Sequence, residues 1–203
     1  RLESYTKQML LGIQWLHANG VCHRDVKCGN LLLSANQELL KVSDFGQIKW
    51  LGNTSARGIS GSPLWLAPEV IKDEIDRSMN ISLAYKKADV WSMGCTVVEM
   101  VTGKSPWDDV VNSIPQALFK IATSNQPPPI TIVHSIEEIE GEKGEKGKKG
   151  IGKKGGTGES AATGVIRVKS LEEMADVNVV KAFVEICCNQ AASERPEPMH
   201  LLQ

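Results

Sequence analysis

Two short apolar runs joined by a polar turn constrain the fold of this chain most, because chemically distinctive motifs stand at their far ends. Residues 31–33 (LLL) and 39–42 (LLKV) are apolar, and residues 34–37 (SANQ) lie between them. This pattern predicts a β-hairpin. Residues 23–30 (HRDVKCGN) precede the first run, and residues 44–46 (DFG) follow the second. Antiparallel pairing would bring the two motifs to the same end of the hairpin.

The remainder of the chain predicts a mainly α-helical fold. Apolar residues recur at helical spacing in several segments, and a glycine follows two of them. We predict helices over residues 1–19, 87–102, 114–123 and 177–188. The second of these is apolar on most sides, which is typical of a buried helix. The Gly- and Ser-rich residues 47–66 predict a long mobile surface loop, and residues 73–83 predict another loop.

Composition excludes several classes of protein. The chain has 203 residues, of which 41% are hydrophobic, so it can bury the core of one domain. The formal net charge of −1 provides no basic field, and we expect no nucleic-acid partner. No apolar run is long enough for a membrane span. The five cysteines form no paired zinc motif, which indicates free thiols in a reducing compartment and a cytoplasmic location.

One segment differs sharply from the rest. Residues 141–158 (GEKGEKGKKGIGKKGGTG) consist mostly of glycine and lysine and cannot bury a core. We expect a disordered insertion over about residues 135–175. A basic contact with RNA or with anionic lipid remains the alternative interpretation of this segment.

The two motifs at the hairpin carry the residue types that phosphoryl transfer needs. That chemistry requires metal ions on the phosphates, a positioned nucleophile and compensation of charge. Asn30 and Asp44 offer the hard oxygen ligands that Mg²⁺ prefers. Asp25 could accept the proton of an incoming hydroxyl, and Lys27 could reach the transferred phosphate. The four residues together predict a phosphotransfer site.

The order and spacing of several motifs resemble those of the protein kinase family. These motifs are HRDVKCGN at 23–30, DFG at 44–46, APE at 67–69 and DVWSMGC at 89–95, followed by Arg195. The resemblance implies the large, C-terminal lobe of a kinase, with the catalytic and DFG segments on a short hairpin. A lysine two residues after the aspartate is the pattern of serine/threonine kinases, so the resemblance implies that specificity.

The resemblance implies the following roles around the nucleotide. Asp25 corresponds to the catalytic base, and Lys27 corresponds to the residue that contacts the γ-phosphate. Asn30 and Asp44 correspond to the Mg²⁺ ligands, and Leu32 to the residue beneath the adenine. ATP and Mg²⁺ are therefore the expected substrate and cofactor.

Further residues correspond to structural positions of the family. His23 and Phe45 resemble the lower half of the regulatory spine. Asp89 resembles the buried anchor of the catalytic-loop backbone. Glu69 and Arg195 resemble the ion pair that ties the activation segment to the lobe.

The resemblance also implies regulation by phosphorylation. Arg24 stands beside the base, where kinases use an arginine to pair with a phosphorylated loop residue. Thr54, Ser55 and Ser60 are candidates for that residue, and Ser60 is our first choice. Ser62 corresponds to the hydroxyl that contacts the base in serine/threonine kinases.

Three longer segments resemble the MAP kinase kinase kinase group: residues 61–71 (GSPLWLAPEVI), 85–107 and 117–129. This resemblance implies a protein substrate, namely a MAP kinase kinase. Ser62 and Leu64 depart from the pattern GTPYWMAPE that is usual in the group. The Gly/Lys-rich insertion is a larger departure and bears on the identity of the substrate.

A complete kinase also has a small lobe with a Gly-rich phosphate loop and a strand lysine. Neither can be recognised in this sequence, so we expect residues 1–203 to form the large lobe without the N-lobe. These residues alone should show no measurable phosphotransfer, and residues 31–33 and Phe45 should be partly exposed. The alternative function is that of a non-catalytic, pseudokinase-like interaction module, although the presence of all four catalytic residues favours an enzyme.

Overall fold

The computed structural model describes residues 1–50, 60–72, 81–124, 126–130 and 177–202. Within these ranges the fold is mainly α-helical, as predicted. The helices are α1 (Leu2–Ala18), α2 (Pro68–Ile71), α3 (Ile81–Thr102), α4 (Ile114–Thr123) and α5 (Val177–Cys187). The strands are β1 (Val21–Cys22), β2 (Leu31–Leu33), β3 (Leu40–Val42) and β4 (Lys49–Trp50).

Helix α1 forms where the apolar spacing places it. Tyr5, Met9 and Ile13 are separated by one helical turn each, and all three are buried. Gly20 follows the helix with a φ of +72°, a left-handed conformation that glycine adopts without steric cost. The chain therefore turns directly from α1 into β1.

Strands β2 and β3 form an antiparallel hairpin at the position that the sequence indicates. Leu31 pairs with Val42, and Leu33 pairs with Leu40. Leu31 and Leu40 are buried in the core, which fixes the register because a slip of one residue would expose them. The hairpin packs on α1, where a Cβ added to Gly12 would lie 2.9 Å from the Val42 side chain.

Helix α3 is the centre of the core. Its residues are buried on nearly all sides, Trp91 and Met93 completely, because it packs against α1 on one side and α5 on the other. The contact with α5 is close at Gly94, where a Cβ would lie 2.8 Å from the Cys187 side chain. A larger residue at this position would push the two helices apart.

The prediction for the start of α3 was wrong. The helix begins at Ile81 and not at residue 87, so residues 81–83 are helical rather than part of a loop. Ala84 and Tyr85 are buried, and this tertiary packing extends the helix on the N-terminal side of residue 87.

The prediction of an irregular loop over residues 47–66 was wrong at both ends. Strand β4 pairs with β1, with Val21 opposite Trp50. A 3₁₀ turn forms at Pro63–Trp65. Strand β4 depends on a partner distant in sequence, which local composition does not reveal. Residues 51–59 and the predicted insertion at 135–175 lie outside the described residues.

The cysteines and the helix lengths bear on the predictions from composition. All five cysteines are free thiols, as predicted. None of the helices in the described part of the chain combines the length and apolar character that a membrane crossing requires.

Candidate active site

The loop formed by residues 23–30, here called the catalytic loop, is held by Asp89 of α3. The buried Asp89 carboxylate accepts the backbone N–H groups of His23 at 2.9 Å and Arg24 at 2.8 Å. The ring of His17 lies 2.8 Å from the same carboxylate. Arg24 has a φ of 70°, which residues other than glycine rarely adopt. Asp89 therefore stabilises an uncommon backbone conformation immediately before Asp25.

The Asp25 carboxylate accepts four hydrogen bonds from the described residues. Asp25 as a whole is only 7% exposed. One oxygen accepts both the N–H and the hydroxyl of Ser62, each at 2.8 Å. The other oxygen lies 3.0 Å from Lys27 Nζ and 3.0 Å from Asn30 Nδ2. Burial by itself raises the pKa of Asp25, but the hydrogen bonds from Ser62, Lys27 and Asn30 outweigh burial and lower it. Asp25 is therefore ionised at neutral pH, the form that accepts a proton.

The contact between Ser62 and Asp25 depends on the residue before the serine. Gly61 has a φ of +114°, and a Cβ at this position would lie 2.5 Å from the Arg24 carbonyl oxygen. Only glycine allows such a close approach of the two segments. Lys27 Nζ also donates to the Ser62 hydroxyl at 2.6 Å. A hydroxyl at this place lies between a proton acceptor and a cation.

Asn30 links the catalytic loop to the hairpin. Its carbonyl oxygen accepts the Ser43 N–H at 2.9 Å and the Ser43 hydroxyl at 3.0 Å. Its side-chain nitrogen donates to the Asp25 backbone oxygen at 2.7 Å as well as to the carboxylate. A cation at this side chain would bind its remaining polar atom, the amide oxygen.

Asp44 follows Ser43 in an exposed position. It has a φ of 62°, and its carboxylate accepts the Gly46 N–H at 3.2 Å. The Asp44 carboxylate and the Asn30 amide oxygen are both hard oxygen donors. This donor set fits Mg²⁺, which binds through few protein oxygens and retains other ligands.

Three residues that the resemblance associates with the nucleotide and the spine lie around the hairpin. Leu32 is 58% exposed and Phe45 is 48% exposed, in line with the expected partial exposure, whereas Leu31 is buried in the core. The buried His23 ring packs edge-on against Phe45, with centroids 5.7 Å apart. The His23 ring also lies 3.0 Å from the Ser43 carbonyl oxygen. His23 therefore connects the catalytic loop to the segment that carries Phe45.

Glu69 and Arg195 form a two-pronged ion pair between α2 and the C-terminal part of the chain. Their N–O distances are 2.6 and 2.9 Å, and Arg195 is only 1% exposed. The guanidinium lies 5.0 Å from the centre of the Trp91 ring. Lys87 donates to the Arg195 carbonyl oxygen, and burial lowers the pKa of this lysine. The pair joins α2, α3 and the chain after α5.

Arg24 and Ser60 line the same small pocket, together with Tyr85. The Arg24 guanidinium lies 5.0 Å from the centre of the Tyr85 ring, and Lys49 Nζ lies 4.3 Å from it. Sequence reasoning missed Lys49 and Tyr85, because contacts between residues this far apart leave no local pattern. The other candidate hydroxyls, those of Thr54 and Ser55, lie outside the described residues.

Glu99 was also missed. Its Oε2 atom accepts the N–H of Cys28 at 2.9 Å and the indole N–H of Trp65 at 3.2 Å. One signal was present in the sequence, because Glu99 lies on the same face of α3 as Asp89 by helical spacing. His17, which no sequence motif singled out, is buried against Asp89.

A comparison with protein families matches the whole chain, residues 1–203, to the family described as protein kinase domain. The chain belongs to the protein kinase domain family. This match confirms the resemblance that rests on HRDVKCGN, DFG and APE.

Curated relatives refine the resemblance. Mitogen-activated protein kinase kinase kinase 2 of Arabidopsis thaliana is 41% identical over 133 residues, which cover 64% of this chain and 19% of the relative. Mitogen-activated protein kinase kinase kinase ANP1 of the same plant is 41% identical over 133 residues, 64% of this chain and 18% of the relative. Mitogen-activated protein kinase kinase kinase 3 of Homo sapiens is 43% identical over 125 residues, 59% of this chain and 18% of the relative. The chain thus spans less than a fifth of the length of these relatives.

Proposed function

We propose that the intact protein is a serine/threonine protein kinase that transfers the γ-phosphate of ATP to a hydroxyl of a substrate protein. The observation that carries this proposal is the Asp25 carboxylate. It is buried, its pKa is lowered, and it lies 3.0 Å from the Lys27 ammonium and 2.8 Å from the Ser62 hydroxyl. A non-catalytic interaction module has no need of an ionised carboxylate with these partners.

In the proposed reaction each residue has a defined part. The substrate hydroxyl oxygen forms a bond to the γ-phosphorus while the bond from that phosphorus to the ADP oxygen breaks. The hydroxyl proton passes to Asp25. Lys27 compensates the negative charge on the transferred group, and Ser62 orients the Asp25 carboxylate.

Asn30 and Asp44 are the residues that we propose to hold Mg²⁺, and Leu32 is proposed to lie beneath the adenine. When bound, Mg²⁺ neutralises charge on the phosphates. The exposed apolar surface of Leu32 supports its assignment, because a purine ring would remove this side chain from water.

The relatives support a place in a MAP kinase cascade, since their names describe mitogen-activated protein kinase kinase kinases. We therefore propose a MAP kinase kinase as the substrate protein. We also propose that phosphorylated Ser60 pairs with Arg24, because both residues line one pocket. The cytoplasmic location indicated by the free thiols stays a prediction.

The test is a radiolabelled ATP assay on the intact protein with a generic serine/threonine substrate protein. We expect phosphotransfer from the wild type and a loss of roughly 10²–10⁴-fold in kcat for Asp25→Asn, the range for removal of a general base. The control is Asp108→Asn, an exposed aspartate away from the catalytic loop, which should leave kcat unchanged. Equal activity of wild type and Asp25→Asn would favour the non-catalytic interaction module instead.

A further inference from the structure

Four polar residues form a stripe along one face of α3. Asp89, Ser92, Thr96 and Glu99 follow one another at spacings of three or four residues, which aligns them on a helix. Thr96 donates to a backbone carbonyl of the catalytic loop at 3.3 Å, and Ser92 donates to the Trp65 carbonyl at 2.8 Å. The stripe therefore binds two segments that are far apart in sequence.

Glu99 is the member of this stripe that binds both segments with a single atom. Its Oε2 accepts the Cys28 N–H of the catalytic loop and the Trp65 indole N–H. Hydrogen bonds to an ionised acceptor are shorter and stronger than neutral ones. Because one oxygen serves both donors, a displacement of either segment changes the geometry of the bond to the other.

Trp65 is hydrogen-bonded to Ser62, the residue that contacts Asp25. The backbone N–H of Trp65 donates to the Ser62 carbonyl at 3.0 Å and closes the turn Pro63–Trp65. The Ser62 hydroxyl at the start of this turn lies 2.8 Å from Asp25. Glu99 thus connects to Asp25 by two routes, through the catalytic loop and through the turn.

We propose that Glu99 is a positioning residue that keeps the turn carrying Ser62 in register with the catalytic loop. This inference rests on the proposed kinase function. Glu99 touches neither Asp25 nor Lys27, so within the described part of the chain it acts on phosphotransfer through Cys28 and Trp65. Its loss should lower kcat for the protein substrate and leave the KM for ATP unchanged.

The first experiment measures the two hydrogen bonds in the 203-residue chain by NMR hydrogen exchange and needs no activity. In Glu99→Leu, exchange at the Cys28 amide and the Trp65 indole should become at least about tenfold faster, the loss expected for one bond to a charged acceptor. Glu99→Gln keeps an acceptor oxygen and should retain part of the protection. The buried amides of α1 report whether each variant is folded.

If Glu99→Leu does not fold, Trp65→Phe replaces it in the same test. This variant removes the indole N–H donor and keeps an aromatic ring. It should accelerate exchange at the Cys28 amide. The matched control is Trp15→Phe, which changes a 66% exposed tryptophan of α1 and should leave that amide unaffected. Unchanged protection of Cys28 in both Glu99→Leu and Trp65→Phe would overturn the proposed coupling.

The second experiment measures phosphotransfer by the intact protein. We expect Glu99→Leu to lower kcat by roughly 10–100-fold, the scale of a small misplacement of catalytic groups, and Glu99→Gln to restore most of it. Trp65→Phe combined with Glu99→Leu should be no worse than Glu99→Leu alone, because Glu99→Leu already removes the hydrogen bond that Trp65→Phe removes. Independent, additive losses or a rise in the KM for ATP would contradict the positioning role. An inactive wild type would refute the proposed function and this role together, even with the exchange result as expected.

Discussion

Asp25 and Asp44 are both aspartates in motifs that point to the same reaction, yet their surroundings are opposite. Asp25 is buried and accepts four hydrogen bonds, from Ser62, Lys27 and Asn30. Asp44 is exposed and, among the described residues, accepts one hydrogen bond, from the nearby Gly46. The first carboxylate is therefore held in part by Ser62 from a distant part of the chain, whereas the contact described for the second comes from its local turn.

The same contrast extends beyond the two aspartates. Asp89, which binds the catalytic loop, and Arg195, which pairs with Glu69, are both buried and hydrogen-bonded. Along the hairpin, Leu32 and Phe45 face outwards. Substitutions in the first region should therefore lower the free energy of unfolding, whereas substitutions in the second should alter function while stability is nearly unchanged.

The largest effect on stability is expected for Glu69→Ala. It removes the carboxylate that the structure shows paired with the buried Arg195 charge, which costs about 3–5 kcal/mol in the free energy of unfolding. Urea denaturation of the 203-residue chain measures this loss. The exposed pair of Lys104 and Asp109 provides the control, and Lys104→Ala should leave the denaturation midpoint unchanged. Similar denaturation midpoints for both variants would show that the buried ion pair stabilises the fold no more than the exposed one.

A smaller loss is expected for Asp89→Asn. An amide offers one acceptor oxygen, so either His23 or Arg24 loses the acceptor of its backbone N–H. Loss of one hydrogen bond to a charged group costs about 1.5–3 kcal/mol. Denaturation gives the stability, and hydrogen exchange at the two amides identifies which bond is lost. If both amides stayed protected, Asp89 would not be what holds the catalytic loop.

Local patterns were sufficient for part of this fold and site. The spacing of Tyr5, Met9 and Ile13 marked α1, and two apolar runs marked the hairpin. Asp25 and Asn30 stand close together in one motif, so their shared chemistry was visible in the sequence. The contact of Asp89 with the catalytic loop came only from the family resemblance, because the two segments are far apart along the chain.

Other features were invisible for a physical reason. Helical spacing places Glu99 on the face of α3 that carries Asp89, but its partners Cys28 and Trp65 were invisible, because only the folded chain brings them to it. Residues 81–83 were predicted as part of a loop over residues 73–83, but they form the first turn of α3, where tertiary packing buries the adjacent Tyr85. Contacts of this kind depend on how elements pack, which hydrophobic periodicity does not specify.

The pH dependence of stability should reflect the lowered pKa of Asp25. Because the pKa is lower in the folded state, ionised Asp25 stabilises the fold above the ordinary carboxyl pKa. This stabilisation is lost as the pH falls through the lowered value. The difference in the free energy of unfolding between wild type and Asp25→Asn should therefore shrink on acidification, by at most about 1.4 kcal/mol per pH unit. A difference that grew as the pH fell would contradict the assignment.

The smallest effect on stability is expected for Asp44→Asn. Asparagine tolerates the left-handed conformation of this position and keeps an acceptor for the Gly46 N–H. The free energy of unfolding should change by less than about 0.5 kcal/mol. In the intact protein the same variant should need much more Mg²⁺ to support phosphotransfer, because a charged ligand is lost.

The free energy of unfolding and the Mg²⁺ requirement of Asp44→Asn together test whether Asp44 and Asp25 differ in their contribution to the fold. Stability close to that of the wild type, together with a raised Mg²⁺ requirement, would show that this carboxylate serves the reaction and contributes little to the fold. Destabilisation as large as that of Asp89→Asn would mean that the hairpin end is held as firmly as the catalytic loop. In that case the exposure of Asp44 would have been a poor guide to its energetic role.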